Sequence, residues 1–259
     1  MWTAASIVVI FVSLGPLVWQ MRRLRGDRLT VVAILLIWVR FALSTLGDFA
    51  VDVQIAGHSL ISLCTLGAVA LGALVLPLHL LRTGWAVPFY GFVAFGTFGA
   101  LLNGAIGPLQ EFIVTWSYFL LVALLLHRGF RVLGPRPVLG CMLAAYALPL
   151  AAQLLTVALG FPKVSQDGSL NYIGGYQHEA VFSLVALGGL WAAAIYPWSR
   201  IHTMVTALGL GVLSLLLGNY RTIMIAAAPI LLGRTSDAKH ISFLEDCAVP
   251  PERLPEFVA

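Results

Sequence analysis

Arg40 is set in Trp38-Val39-Arg40-Phe41, inside an otherwise apolar run, and Arg221 follows a Gly-Asn break in Leu217-Gly218-Asn219-Tyr220-Arg221-Thr222. Guanidinium groups are expensive in such surroundings, since an Arg at mid-bilayer costs about 2.5–3.5 kcal/mol on insertion scales. Arg40 therefore needs an anion, either Asp48 or Asp52 of its own chain or a group on a ligand, unless it snorkels to the headgroups. At Arg221 the Gly218-Asn219 break frees backbone donors beside a planar guanidinium, a combination suited to a diphosphate. The alternative is an interfacial anchor for a short span.

A third cluster runs from Asn171 to Glu179 and places His178 beside Glu179. Imidazole titrates near neutral pH and a partly desolvated carboxyl is raised toward it, so the pair can hold or remove a hydroxyl proton. Gln177, His178 and Glu179 serve equally well as polar caps at a helix start. Glu111, just inside another apolar run, reads as a partner for the helix dipole or as a carboxylate facing the same cavity. His58, Asp48 and Asp52 share a short polar segment that could meet an acceptor or ion or simply be solvated. His79, His127 and His202 sit at run ends and read as interfacial.

Other chemistries have no carrier. The chain has no phosphate-cradling glycine loop, no metal-ligand spacing and no nucleophile elbow, so no metal and no cofactor are expected. Cys64 and Cys141 fall in apolar runs and Cys247 near the end of the chain, without the spacing of a disulfide framework or zinc site. They read as small apolar residues.

The elements that must hold these groups are membrane helices. Of 259 residues 60% are hydrophobic and only 10% charged, against about 25% charged in a soluble domain, and mean hydropathy is +0.94. The apolar residues come in continuous Leu/Ala-rich runs of roughly 17 to 25, long enough to cross hydrocarbon as helices and unlike the short alternating strands of a barrel. Spans are expected at Thr3 to Gln20, Leu29 to Leu46, Ser59 to Leu81, Trp85 to Gly104, Pro108 to Leu126, Pro137 to Gly160 and Ala180 to Tyr196. The stretch from Thr203 to Gly233 is too long for one span of about 20 residues, and the break at Gly218 and Asn219 divides it into two. The expectation is an all-α polytopic integral membrane protein of about nine transmembrane helices over residues 1–233. A loosely ordered cytoplasmic tail comes after it over 234–259, rich in Pro, Asp and Glu. The first run lacks a basic leader and a small-residue cleavage site, so it is expected to stay as an uncleaved span.

The net charge of +4 and pI near 9.2 reflect basic residues in short turns rather than a nucleic-acid surface. Arg22, Arg23, Arg25, Arg28, Arg82, Arg128, Arg131, Arg136, Arg200, Arg234 and Lys239 fall on one side of the expected spans. Only Lys163 and Arg221 fall in turns on the other. The positive-inside rule then puts the N-terminus out and the C-terminus in. The unusual polar residues gather on the outer face.

Taken together, Gly175-Tyr176-Gln177-His178-Glu179 opening a span, a basic turn, and Leu215-Leu216-Leu217-Gly218-Asn219-Tyr220-Arg221-Thr222 resemble the O-antigen ligase and O-antigen polymerase family. The resemblance implies a glycosyltransferase of the bacterial inner membrane that uses undecaprenyl-diphosphate-linked glycan on the periplasmic side, either as ligase or as polymerase. Arg221 and Arg40 would grip the diphosphate, and His178 or Glu179 would take the acceptor proton. Tyr176, Gln177, Asn219 and Glu111 would be available to contact the acceptor. Glu179 departs from the Asn often found there in the family. The chain also lacks the large periplasmic loop and further spans common after the Arg helix. Two other classes share these features: a transporter or flippase-like carrier of an anionic or lipid-linked substrate, and a non-catalytic membrane subunit.

Overall fold

The computed structural model describes residues 2–24, 26–55, 58–104, 106–164, 168 and 170–218. Asn219, Arg221, the expected ninth span and the C-terminal tail lie outside them. The described chain is all-α apart from two loop hairpins of two-residue strands, β1 (Gln54–Ile55) with β2 (His58–Ser59) and β3 (Lys163–Val164) with β4 (Leu170–Asn171). Its helices are α1 (Trp2–Met21), α2 (Arg28–Thr45), the short α3 (Asp48–Asp52), α4 (Leu60–Val75), α5 (Val87–Leu102), α6 (Ile106–Leu133), α7 (Pro135–Ala158), α8 (Glu179–Ile195) and α9 (Ile201–Gly218). Among the described residues six helical stretches are long and apolar enough to cross a membrane, and α4 and α8 are shorter apolar helices. The chain is thus a multi-pass helical membrane protein; the six long stretches fall on six of the nine expected spans, the shorter α4 and α8 fall within the expected third and seventh, and the ninth lies outside the described residues.

Two boundaries differ from expectation for local reasons. The run from Ser59 does not continue as one helix to Leu81, because Pro77 cannot donate to the preceding turn and restricts Leu76 before it. α4 ends at Val75, and a 3₁₀ turn covers Leu78–Arg82. α6, in contrast, runs past Leu126 to Leu133 and carries His127, Arg128 and Arg131 on the helix itself. It ends where Gly134 takes a φ of 79°, a conformation suited to glycine.

α7 is the centre of the bundle. It packs against α1, α2, α6 and α8, while α6 also meets α2, α4 and α5, and α8 pairs with α9. The main core joins Leu17 of α1, Ile34, Trp38 and Phe41 of α2, and Val138, Cys141, Ala145 and Leu148 of α7. Helix packing inside a bilayer rests on close approach and internal hydrogen bonds, since lipid is as apolar as Leu. Gly188 and Gly189 let α8 close on the ring of Tyr146, and Gly211 lets α9 close on Leu190. Trp38 Nε1 donates to Ser13 Oγ at 3.0 Å and Tyr118 OH to the Leu36 carbonyl at 2.9 Å.

The basic end of the bundle has an aromatic belt. Arg23 lies over the Trp19 ring at 4.9 Å, Trp85 meets His127 edge-on, and Tyr196 meets Trp198. Rings of this kind sit at the headgroup level with Arg heads beyond them. Here Asp27, only 4% exposed, pairs with Arg128 and accepts from Thr30 Oγ1 at 2.6 Å. This contact locks the start of α2 to α6, where Gly129 leaves room for Thr30. Burial alone would push the Asp27 carboxyl up, but the Thr30 and Arg128 hydrogen bonds and the Arg128 charge outweigh it and hold the pKa below the usual value.

A carboxyl whose folded pKa is depressed adds stability above its unfolded pKa, near 3.9, and loses it as pH falls through the folded value. Asp27→Asn should therefore lower the melting temperature in detergent at neutral pH. The gap from wild type should narrow as pH drops below about 4. A gap independent of pH would show that the Asp27 charge is not what ties α2 to α6.

Candidate functional site

The end opposite the arginine belt carries the polar residues that stand out in the sequence. Arg40 lies about a turn and a half from the last residue of α2. Its guanidinium turns into the bundle and donates to Thr65 Oγ1 of α4 at 3.1 Å, while Thr65 Oγ1 donates to the Ile61 carbonyl at 2.7 Å. The partner that Arg40 meets on α4 is thus a neutral hydroxyl. The Asp48 side chain lies outside the described residues.

Arg40 opens onto a cavity of about 270 Å³ between α2, α4 and α6. Ser62 and Thr65 of α4 and Gln110, Glu111 and Thr115 of α6 line it, and His58 stands at its rim in β2. These partners come from helical geometry: Ser62 and Thr65 are three apart and Glu111 and Thr115 four apart, so each pair shares one helix face. A cation, a carboxyl and an imidazole thus line one space. The cavity can seat an anionic group at Arg40 beside a residue able to accept a proton.

His178 and Glu179 stand elsewhere, at the start of α8. His178 is exposed at the N-cap position, its side chain making no cap hydrogen bond, and Glu179 falls in the first turn where the helix dipole favours a carboxylate. Neither lines the Arg40 cavity. Arg221 and Asn219 lie outside the described residues. The structure therefore brings together Arg40, Glu111 and His58 from the expected set.

Tyr176 and Gln177 belong to the loop before α8, which is built into the bundle. Tyr176 is buried against Ile173 and Phe182, with the Phe182 ring edge-on at 5.3 Å. Its hydroxyl has no hydrogen-bond partner among the described residues. Burial raises the phenol pKa, and the nearby Arg40 charge offsets part of that rise. Residues Ile173 to Tyr176 form a tight turn closed by Tyr176 N–H to the Ile173 carbonyl at 3.1 Å, with Gly174 and Gly175 at φ of 59° and 85°. Two successive positive φ values are what a type I′ turn requires. A methyl at Gly175 would also overlap the Thr45 carbonyl and the Trp2 indole.

The remaining fixings were not anticipated from the sequence. Trp2 Nε1 donates to the Thr45 carbonyl at 3.2 Å, and Gln153 Nε2 of α7 donates to the carbonyls of Tyr172 and Ser214 at 2.8 and 2.9 Å. Tyr172 N–H meets the Leu217 carbonyl at 3.0 Å. Gln153 is an amide inside an apolar helix, a signal of the same kind as Arg40.

No protein-family model, curated protein or solved structure matches the chain. The site's chemistry has to be argued from its own residues.

Gly175→Ala should lower stability by about 1–3 kcal/mol, from the positive φ and the missing space together. Gly67→Ala in α4, where a methyl meets nothing within 4 Å, should be neutral or stabilising. Equal melting temperatures for the two variants in detergent would contradict the packed turn.

Proposed function

We propose that the chain is a membrane glycosyltransferase of cell-surface polysaccharide assembly, similar to O-antigen ligases and polymerases, acting on undecaprenyl-diphosphate-linked glycan. The observation that carries the reading is Arg40 in a 270 Å³ cavity with Glu111 and His58 on the same walls. A guanidinium there suits a diphosphate oxygen, which it can meet in bidentate fashion. Arg221, on the strength of the sequence resemblance, supplies the second guanidinium.

In the proposed step an acceptor hydroxyl attacks the anomeric carbon of the donor sugar. The new C–O bond forms as the bond to the diphosphate breaks, the hydroxyl proton passes to Glu111, and undecaprenyl diphosphate leaves with its charge held by Arg40. Glu111 takes this role in preference to His178 or Glu179 because it shares the cavity with Arg40. The reaction balances without a cofactor. We place the protein in the bacterial inner membrane with the Arg40 end periplasmic, nine spans and a cytoplasmic C-terminus, on the basis of the loop charges.

Two experiments test this. In a cysteine-free background, Leu170→Cys on intact cells should react with an impermeant maleimide. Protection there would reverse the orientation. In proteoliposomes supplied with undecaprenyl-diphosphate-linked glycan, Glu111→Gln should slow transfer by about 10²-fold or more, and Arg40→Lys should lose most product at normal abundance. Wild-type rates from both variants would remove the cavity from the mechanism. Donor bound but never transferred by the wild type would move the protein to the carrier class.

A further inference from the structure

Two positions are open to the Arg40 guanidinium. α2 continues only about a turn and a half beyond Arg40, so an extended side chain could snorkel to the nearby headgroups. Instead it turns inward onto Thr65 Oγ1 at 3.1 Å. We propose that Thr65 is a positioning residue for the anion site: its hydroxyl oxygen holds the guanidinium in the cavity, with the other N–H groups left for phosphate oxygens. The phosphate rests on the diphosphate reading of that cavity. The holding of Arg40 by Thr65 does not.

The sense of two hydrogen bonds makes Thr65 a one-way partner. A hydroxyl has one proton and two lone pairs, and Thr65 gives its proton to the Ile61 carbonyl one turn back, at 2.7 Å. Toward Arg40 it can therefore only accept. A guanidinium only donates, so the pair fits in one sense and Thr65 has no proton left to offer a ligand. Thr65 is itself buried, at 7% exposure, so its oxygen is fixed by its own helix. Of the five N–H donors of a guanidinium, one is used on Thr65, and the others have no partner among the described residues.

Packing blocks the alternative on the other side of the pair. A space of only about 20 Å³ touches Arg40 there, walled by Leu36 and Val39 of α2, Cys64 and Ala68 of α4 and Tyr118 of α6. It has room for about one water. Tyr118 fixes this wall by its bond to the Leu36 carbonyl, one turn before Arg40. Arg40 and Thr65 line both spaces, so the pair divides a packed side from the open cavity of about 270 Å³. A donor array held in this way loses less freedom when an anion binds than one that must first be ordered.

The test uses the full chain in nanodiscs, with inorganic pyrophosphate as the anion and NMR of isotope-labelled arginine to follow the guanidinium. The Arg40 signals are identified by their loss in Arg40→Gln, which should also abolish pyrophosphate binding. In the wild type the two Nη groups should give separate signals, because the bond to Thr65 slows rotation about Nε–Cζ. Thr65→Val keeps the shape of the side chain without an acceptor. It should merge the Nη signals and weaken pyrophosphate by about tenfold. Thr65→Ser should restore separate signals and bind within about twofold of wild type, a rescue that a purely structural Thr65 would not show. The Ile61 carbonyl keeps its helical bond from the residue 65 N–H in each variant. Should Thr65→Val not accumulate, Thr65→Ala replaces it with the same two expectations. Merged signals in the wild type, separate signals or wild-type affinity in Thr65→Val, or no rescue by Ser overturns the positioning role. If the wild type binds no pyrophosphate while the Nη signals behave as expected, the diphosphate reading falls and Thr65 remains the group that holds Arg40.

Discussion

Hydrocarbon offers no hydrogen bonds, so each polar group inside the bundle must be answered by the chain itself. Gln153 illustrates the consequence. One amide on α7 holds the carbonyl of Tyr172 in the loop before α8 and the carbonyl of Ser214 in α9. Three parts of the chain that are distant in sequence are joined by two bonds from a single side chain. With Trp2 bonded to Thr45 and the double-glycine turn pressed against the end of α2, the loop becomes a fixed wall.

The same constraint explains the asymmetry of the two ends. At the basic end Asp27 has Arg128 and Thr30, and Arg23 has the Trp19 ring, while the buried Gln20 Oε1 has no hydrogen-bond partner among the described residues. That end is structural, a lock between α2 and α6 within an aromatic belt. At the other end Arg40 rests on the Thr65 hydroxyl, and the Tyr176 OH has no partner among the described residues.

Much of this was legible in the sequence, and the limits have physical causes. Spans were readable because their length is set by the bilayer. Arg40 and Glu111 stood out because charge inside an apolar run is costly. Their convergence was not readable, because it depends on how α2, α4 and α6 are rotated about their axes, and an apolar helix surrounded by lipid carries little amphipathic signal to fix that rotation. The faces of Ser62 with Thr65 and Glu111 with Thr115 were present as spacing but are easily passed over, since neutral hydroxyls are common in such helices. The Ile173–Tyr176 turn was seen as a Gly-Gly opening to a span, whereas its burial against Thr45 and Trp2 is a long-range event. His178 stood out by residue type, and the structure places it at an exposed helix start apart from the Arg40 cavity, while Arg221, with which the sequence groups it, lies outside the described residues.

The central claim is that Arg40 awaits a lipid-linked diphosphate. It is tested most directly by cryo-electron microscopy of the full chain in nanodiscs containing undecaprenyl diphosphate. The account predicts diphosphate density between α2, α4 and α6 with an oxygen in hydrogen-bond reach of the Arg40 guanidinium and Glu111 on the facing wall. Diphosphate bound elsewhere, with Arg40 still seated on Thr65 and its cavity empty of lipid headgroup, would contradict it.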